Sequence, residues 1–204
     1  MDLIEAINGR RSVRKFKNKE IPEGIITEML NSARLAPSGG NSQGWIFGII
    51  TAEEQKEKLA NAAGKQTWIK DAPVIIAGCA DIGWDIANQP DDDFGKIVNY
   101  TRFGKEFIEY MCKYPDRKMC MTLFNNGTPI LPMEHMFLVA VSHGLSACFI
   151  GFLDLREANE ILNLPENITC LFLLPIGYPD ETPKEKNTKS IEEICFTNKW
   201  KNKL

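Results

Sequence analysis

Hydrophobic positions along the chain switch between a helical and a strand period, and turn-formers mark the switches. Leu3, Ile4 and Ile7 form the stripe of a short opening helix that Asp2 caps, Glu5 completes as a capping box and Gly9 ends. Ile25, Ile26, Met29, Leu30 and Ala33 share one face of a second helix over about residues 22–36, closed by Pro37. Residues 45–50 read as a buried strand, 52–63 as a polar helix stopped by Gly64, and 74–79 as a second apolar strand after Pro73. A helix over about 133–142 leads into residues 144–151, where two glycines bracket an apolar run and predict a short buried strand. Asp154 and Glu157 repeat the capping-box spacing and predict a helix to 162, and 168–176 is the third clear strand. Loosely alternating helices and strands imply an α/β or α+β class with helices packed on a sheet.

Two stretches depart from this pattern. Residues 179–189 are rich in Pro, Lys, Glu and Thr and read as an extended arm. The stretch from about 84 to 128 carries Trp84, Phe94, Tyr100, Phe103, Phe107, Tyr110 and Tyr114 among charges, with one helix expected over about 94–113. It reads either as a surface helix burying its aromatic face or as an excursion lying over a ligand site as a lid.

Composition narrows the classes. At 204 residues, with 44% hydrophobic and 25% charged positions, the chain fits one globular domain over 1–204 and is neither collagen-like, low-complexity nor disordered. Its 24 basic and 27 acidic residues leave a net charge of −3, so no global basic field points to nucleic acid or an anionic membrane. Nothing reads as a signal peptide or a membrane span, which suggests a cytoplasmic protein. Six cysteines stand without a CxxC pair, and there are only two histidines. That spacing offers no tetrahedral zinc site, so no metal is expected and the cysteines read as reduced small hydrophobes.

Three segments carry candidate chemistry. Arg10, Arg11, Ser12 and Arg14 could form an anion site, since arginine presents a planar fork of donors to phosphate; a solvated cationic face is the plainer reading. Residues 37–43, Pro-Ser-Gly-Gly-Asn-Ser-Gln, could bring backbone amides and directional polar groups to a flat ligand, or could simply join a helix to a strand. Gly151 would let backbone amides touch a cofactor, or would serve packing alone. Neither GxGxxG nor a P-loop occurs.

In order along the chain, these segments resemble the nitroreductase family. The resemblance is carried by Arg-Arg-Ser-Val-Arg at 10–14, Ala-Pro-Ser-Gly-Gly-Asn-Ser-Gln-Gly-Trp at 36–45 and Gly-Leu-x-x-x-x-Ile-Gly at 144–151. Ile-Gly-Tyr-Pro at 176–179 and Asn198-Lys199-Trp200 complete it. It covers nearly the whole chain except about 84–128. It implies an α+β fold, a mixed β-sheet flanked by helices, and a homodimer with FMN at the interface and a C-terminal arm extending to the partner subunit. By motif, Arg10, Ser12 and Arg14 resemble residues holding the FMN phosphate, ribityl chain and pyrimidine edge, with Arg11 in the same shell. Pro37, Ser38, Gly39 and Asn41 are similar to the loop that reaches flavin from the other subunit. Gln66 matches a position reading the pyrimidine edge, and Ile150 and Gly151 match the backbone beside the flavin's reactive nitrogen. In the arm, Lys186 fits one of two basic positions, Thr188 stands at the other, and Lys189 is adjacent. Gly44 replaces a usual Pro.

The implied activity is an FMN-dependent oxidoreductase. It would pass electrons from NAD(P)H through bound flavin to nitroaromatic, quinone or flavin acceptors by a ping-pong mechanism. Flavin does the chemistry, Arg14 gives electrostatic support, and no catalytic side chain is needed. The rival readings are an FMN-binding storage protein with little turnover and a cysteine-based redox protein using Cys112 and Cys120.

Overall fold

The opening capping box forms as its spacing predicts: Asp2 accepts from the Glu5 backbone N–H and the Glu5 carboxylate from that of Asp2, starting α1 (Leu3–Gly9). A computed structural model describes residues 1–200. After α1 come α2 (Glu23–Ala33), β1 (Trp45–Ile50), α3 (Glu53–Ala62), β2 (Val74–Asp81), α4 (Phe94–Phe103), α5 (Lys105–Cys112) and α6 (Arg117–Phe124). Then follow α7 (Ile130–Ser142), β3 (Ser146–Ala147), α8 (Leu155–Ile161), β4 (Ile168–Gly177) and α9 (Ile191–Ile194).

The class is α+β. The strands form one sheet in the order β1-β2-β4-β3, every ladder antiparallel. Parallel pairing enters among the described residues at the isolated Ser12–Ala147 bridge. Alternate residues of the two central strands point to opposite faces. Val74, Ile76, Leu174 and Ile176 join Met29, Ala33, Met133 and Phe137 of α2 and α7 in one core. Ile75, Ala77, Cys79 and Leu173 join Leu59 of α3 and Ala158 of α8 in a second. Gly78 sets how closely α7 approaches, because a Cβ there would lie 2.1 Å from the Met133 sulfur.

Several expectations need correction. The stripe of α1 stays outside, with Leu3 and Ile4 63% and 62% exposed, while Ala6 turns inward toward α7. The second helix stops at Ala33 and not near 36. The single helix expected over 94–113 is two helices, broken at Gly104, whose φ of +85° few other residues adopt. That break turns Ile108 inward onto Ile86 and Met121. Phe94, Phe103, Phe107, Tyr110 and Tyr114 stay exposed, so the excursion does not bury its aromatic face. Aliphatic residues at its base carry the packing instead.

Candidate functional site

Residues 10–14 leave α1 and run beside β3. The Val13 N–H donates to the Ala147 carbonyl at 3.0 Å, and the Ser146 hydroxyl to the Arg11 carbonyl at 2.8 Å. Val13 is buried, and strand alternation leaves Ser12 and Arg14 on the solvent side. The segment is therefore a polar strip along the β3 edge of the sheet.

Charge gathers at one end of this strip. The Arg10 guanidinium lies 5.2 Å from the Phe137 ring centre and 3.7 Å from the Glu134 carboxylate. Arg11 turns back instead, donating to the carbonyls of Asn8 at 2.6 Å and Arg10 at 2.9 Å. Those bonds satisfy the end of α1, so Arg11 backs the strip without projecting from it. Lys186 reaches the same place from the arm, donating to the Ile7 carbonyl at 2.9 Å. Desolvation, then the charges of Arg10 and Arg11, push its pKa below the ordinary lysine range, partly opposed by Glu134. Lys189 is exposed and makes none of these contacts.

At the other end, the Arg14 guanidinium lies 5.9 Å from the Trp68 ring and its backbone N–H donates to Glu181 at 2.6 Å. Gln66, two residues before Trp68, is half-buried and gives its amide to the Ala63 carbonyl at 2.8 Å. Between the ends lies Cys148. Its thiol is raised by burial, against the lowering effect of Arg14, Ser12 and Arg10. Ile150 is locked to Leu173 by reciprocal backbone bonds of 2.9 and 3.1 Å, which hold the exposed Gly151 at the rim.

The loop at 37–41 is elsewhere. Gly39–Asn41 is a 3-10 turn with Gly40 and Asn41 at φ of +58° and +55°, and the Ser38 hydroxyl accepts from the Gln43 N–H at 3.0 Å. The loop leads through Gly44, whose carbonyl accepts from Asp81, into the start of β1. That is the opposite edge and the opposite end of the sheet from Ser12. Four strand spacings of about 4.8 Å and eight residues of β4 at about 3.4 Å leave roughly 30 Å between the start of β1 and Ser12. Within one chain the structure does not bring Pro37, Ser38, Gly39 and Asn41 to the strip.

The cysteine reading gains nothing. All six thiols are free, and Cys112 and Cys120, on helices α5 and α6, form no disulfide although the Cys120 thiol lies 3.8 Å from the Met111 carbonyl. Burial raises the Cys120 thiol, which disfavours the reactive thiolate. Among the described residues, no group of three or more His, Cys, Asp or Glu could hold a metal.

Glu134 and Glu181 carry no signal in the sequence. Their pairings with Arg10 and Arg14 join distant positions, so no local spacing announces them.

This geometry has counterparts. The profile of the Nitroreductase family matches residues 7–178. The chain belongs to that family. The match contains the strip, the 37–41 loop, Gln66 and the 150–151 rim, and it ends before Lys186. As a family member the protein is an oxidoreductase. It is similar to an NADH dehydrogenase of Thermus thermophilus, with 25% identity over 197 residues covering 96% of each chain. It is also similar to an NADPH-flavin oxidoreductase of Vibrio harveyi, with 25% identity over 97% of this chain and 74% of that one. The fold is shared with an FMN-dependent nitroreductase from Clostridium difficile, at a TM-score of 0.70, 21% identity, and 97% and 99% coverage.

Proposed function

We propose that the protein is an FMN-dependent NAD(P)H oxidoreductase that reduces nitroaromatic, quinone or flavin-type acceptors. The observation that carries this reading is the charge imbalance at the Arg10 end of the strip. The side chains of Arg10, Arg11 and Lys186 converge at the end of α1, with the Glu134 carboxylate 3.7 Å from Arg10; desolvation, then the charges of Arg10 and Arg11, lower the Lys186 pKa. A bound phosphate would relieve that repulsion, and its size and charge fit donors of this kind. The residues present thus suit FMN.

Arg10 and Lys186 would hold the phosphate, with Arg11 adding charge from behind and Lys189 the weaker candidate. Ser12 would bond the ribityl chain or phosphate. Arg14 and Gln66 would read the pyrimidine edge, Gln66 by turning its amide away from Ala63, and the Arg14 charge would favour electron-rich states there. Ile150 and Gly151 would present backbone, not side chains, to the reactive edge. When bound, FMN supplies hydride and electron transfer, first from nicotinamide and then to the acceptor. No side-chain acid is required, because protons can come from water.

Pro37, Ser38, Gly39 and Asn41 would contact the flavin of a second copy, since their loop leads into the edge of the sheet opposite their own strip. The apolar residues left outside, Leu3, Ile4, Leu131, Ile191 and Ile194, are consistent with such a homodimer. The arm would extend to that partner beyond its tie to α1. No described helix is long and apolar enough to cross a membrane, and we place the protein in the cytoplasm. No nucleic acid partner is proposed.

Steady-state rates with nicotinamide and a quinone varied together test the proposal. Parallel double-reciprocal lines are expected from one flavin face serving both substrates in turn. Intersecting lines would contradict it.

A further inference from the structure

One exposed aromatic side chain stands next to the rim. Phe152 follows Gly151 and is 75% exposed. Its ring is nevertheless placed: a Cβ built on Gly64 would meet the ring edge at 2.2 Å, so the phenyl lies directly against the Gly64 backbone. The loops on either side are tied together, because the Asp154 N–H donates to the Ala62 carbonyl at 2.9 Å. Phe152, Gly64, Leu153 and Lys65 line a shallow pocket of about 500 Å³. Lys65 stands exposed at its rim and makes no ion pair among the described residues. The pocket lies where the flavin's reactive edge is proposed, one residue past Gly151 and two before Gln66.

We infer that Phe152 is the platform on which a planar acceptor stacks, so that its ring decides how strongly a flat acceptor is held relative to a non-planar one. This rests on the flavin reading above and adds the residue that reads the acceptor. The phenyl face supplies apolar area and a negative quadrupole that favours electron-poor rings. The Lys65 ammonium supplies one donor for a ring oxygen, and Asn61 and Asp154 complete the polar side of the lining opposite Phe152 and Leu153. For a quinone the balance is NAD(P)H, one proton and quinone giving NAD(P)+ and hydroquinone. Phe152 takes no part in that transfer; it binds and orients.

The test uses FMN-saturated protein with two acceptors, 1,4-naphthoquinone and ferricyanide, an octahedral complex that cannot stack. Phe152→Ala is expected to raise KM for the quinone roughly three- to tenfold and to leave ferricyanide reduction and FMN affinity unchanged. Phe152→Tyr restores the quinone KM, because it keeps the ring. An equal change with both acceptors, or none with the quinone, would overturn the inference. Holoprotein that oxidised no nicotinamide with either acceptor would overturn the flavin reading, and the inference with it.

Discussion

The Lys186 ammonium donates to the Ile7 carbonyl at 2.9 Å, joining the arm to the end of α1 beside Arg10 and Arg11. Desolvation, then the charges of Arg10 and Arg11, lower the pKa of this ammonium, and a pH dependence follows. A bound phosphate favours the charged ammonium, so FMN affinity is full while Lys186 is protonated and falls as pH rises through its depressed pKa. Above about pH 7 the phosphate is already fully ionised and contributes no slope of its own. Fluorescence titration of FMN against pH should show a decline beginning below the ordinary lysine range. Lys186→Arg should remove that decline, because arginine stays charged.

Arg10→Ala removes a charge-assisted contact worth about 1.5–3 kcal/mol, so FMN affinity should fall roughly 10- to 150-fold. Turnover should recover in excess FMN, since the phosphate is remote from the reacting ring. Stability should change little, because the Glu134 pair is long and half-exposed. An isothermal titration paired with a thermal melt separates the two effects.

The proposed sharing of each flavin between the strip of one chain and the Asn41 loop of its partner makes a complementation test possible. Mixed Arg10→Ala and Asn41→Ala subunits would form heterodimers with one intact site and one doubly damaged site. At limiting FMN the mixture should regain activity after subunit exchange. Verified heterodimers that regained none would show each chain holding its flavin alone.

Asp85 and Arg117 staple the base of the excursion, with Nε to Oδ2 at 3.0 Å and a second contact from Nη2. Arg117 also donates to the carbonyl of Met111. The guanidinium holds the Asp85 carboxyl below its usual range, so the staple is kept at neutral pH and lost as pH falls through that lowered pKa. Asp85→Ala should cost about 1.5–3 kcal/mol locally. Limited proteolysis should then cut within 84–128 sooner, while the sheet resists as before.

Replacing Cys112 and Cys120 together by Ser should leave nicotinamide-dependent flavin reduction within a few-fold. Cys120 is buried, so bound flavin must be measured alongside the rate.

Local signals carried far in this chain. The capping box at Asp2, the strand at 45–50 and the Asp154 cap are each set by neighbours a few residues apart, and each formed where its spacing placed it. Tertiary decisions were less legible. The stripe of α1 has the helical period of a core face, yet packing turned Ala6 inward and left Leu3 and Ile4 outside. Gly104 breaks the helix expected over 94–113 at a φ of +85°. At the candidate site, the residue types at 10–14 pointed to an anion. That Arg11 would fold back onto α1, and that Glu134 would face Arg10, depends on pairings no window of sequence contains.

The most direct measurement is the visible spectrum of the purified protein, followed anaerobically after adding NADH and, separately, NADPH. The account predicts a flavin spectrum, FMN released on denaturation, and bleaching of the flavin band by at least one nicotinamide, with colour returning on addition of a quinone. Colourless protein that fails to take up FMN, or bound FMN that neither nicotinamide bleaches, would contradict it.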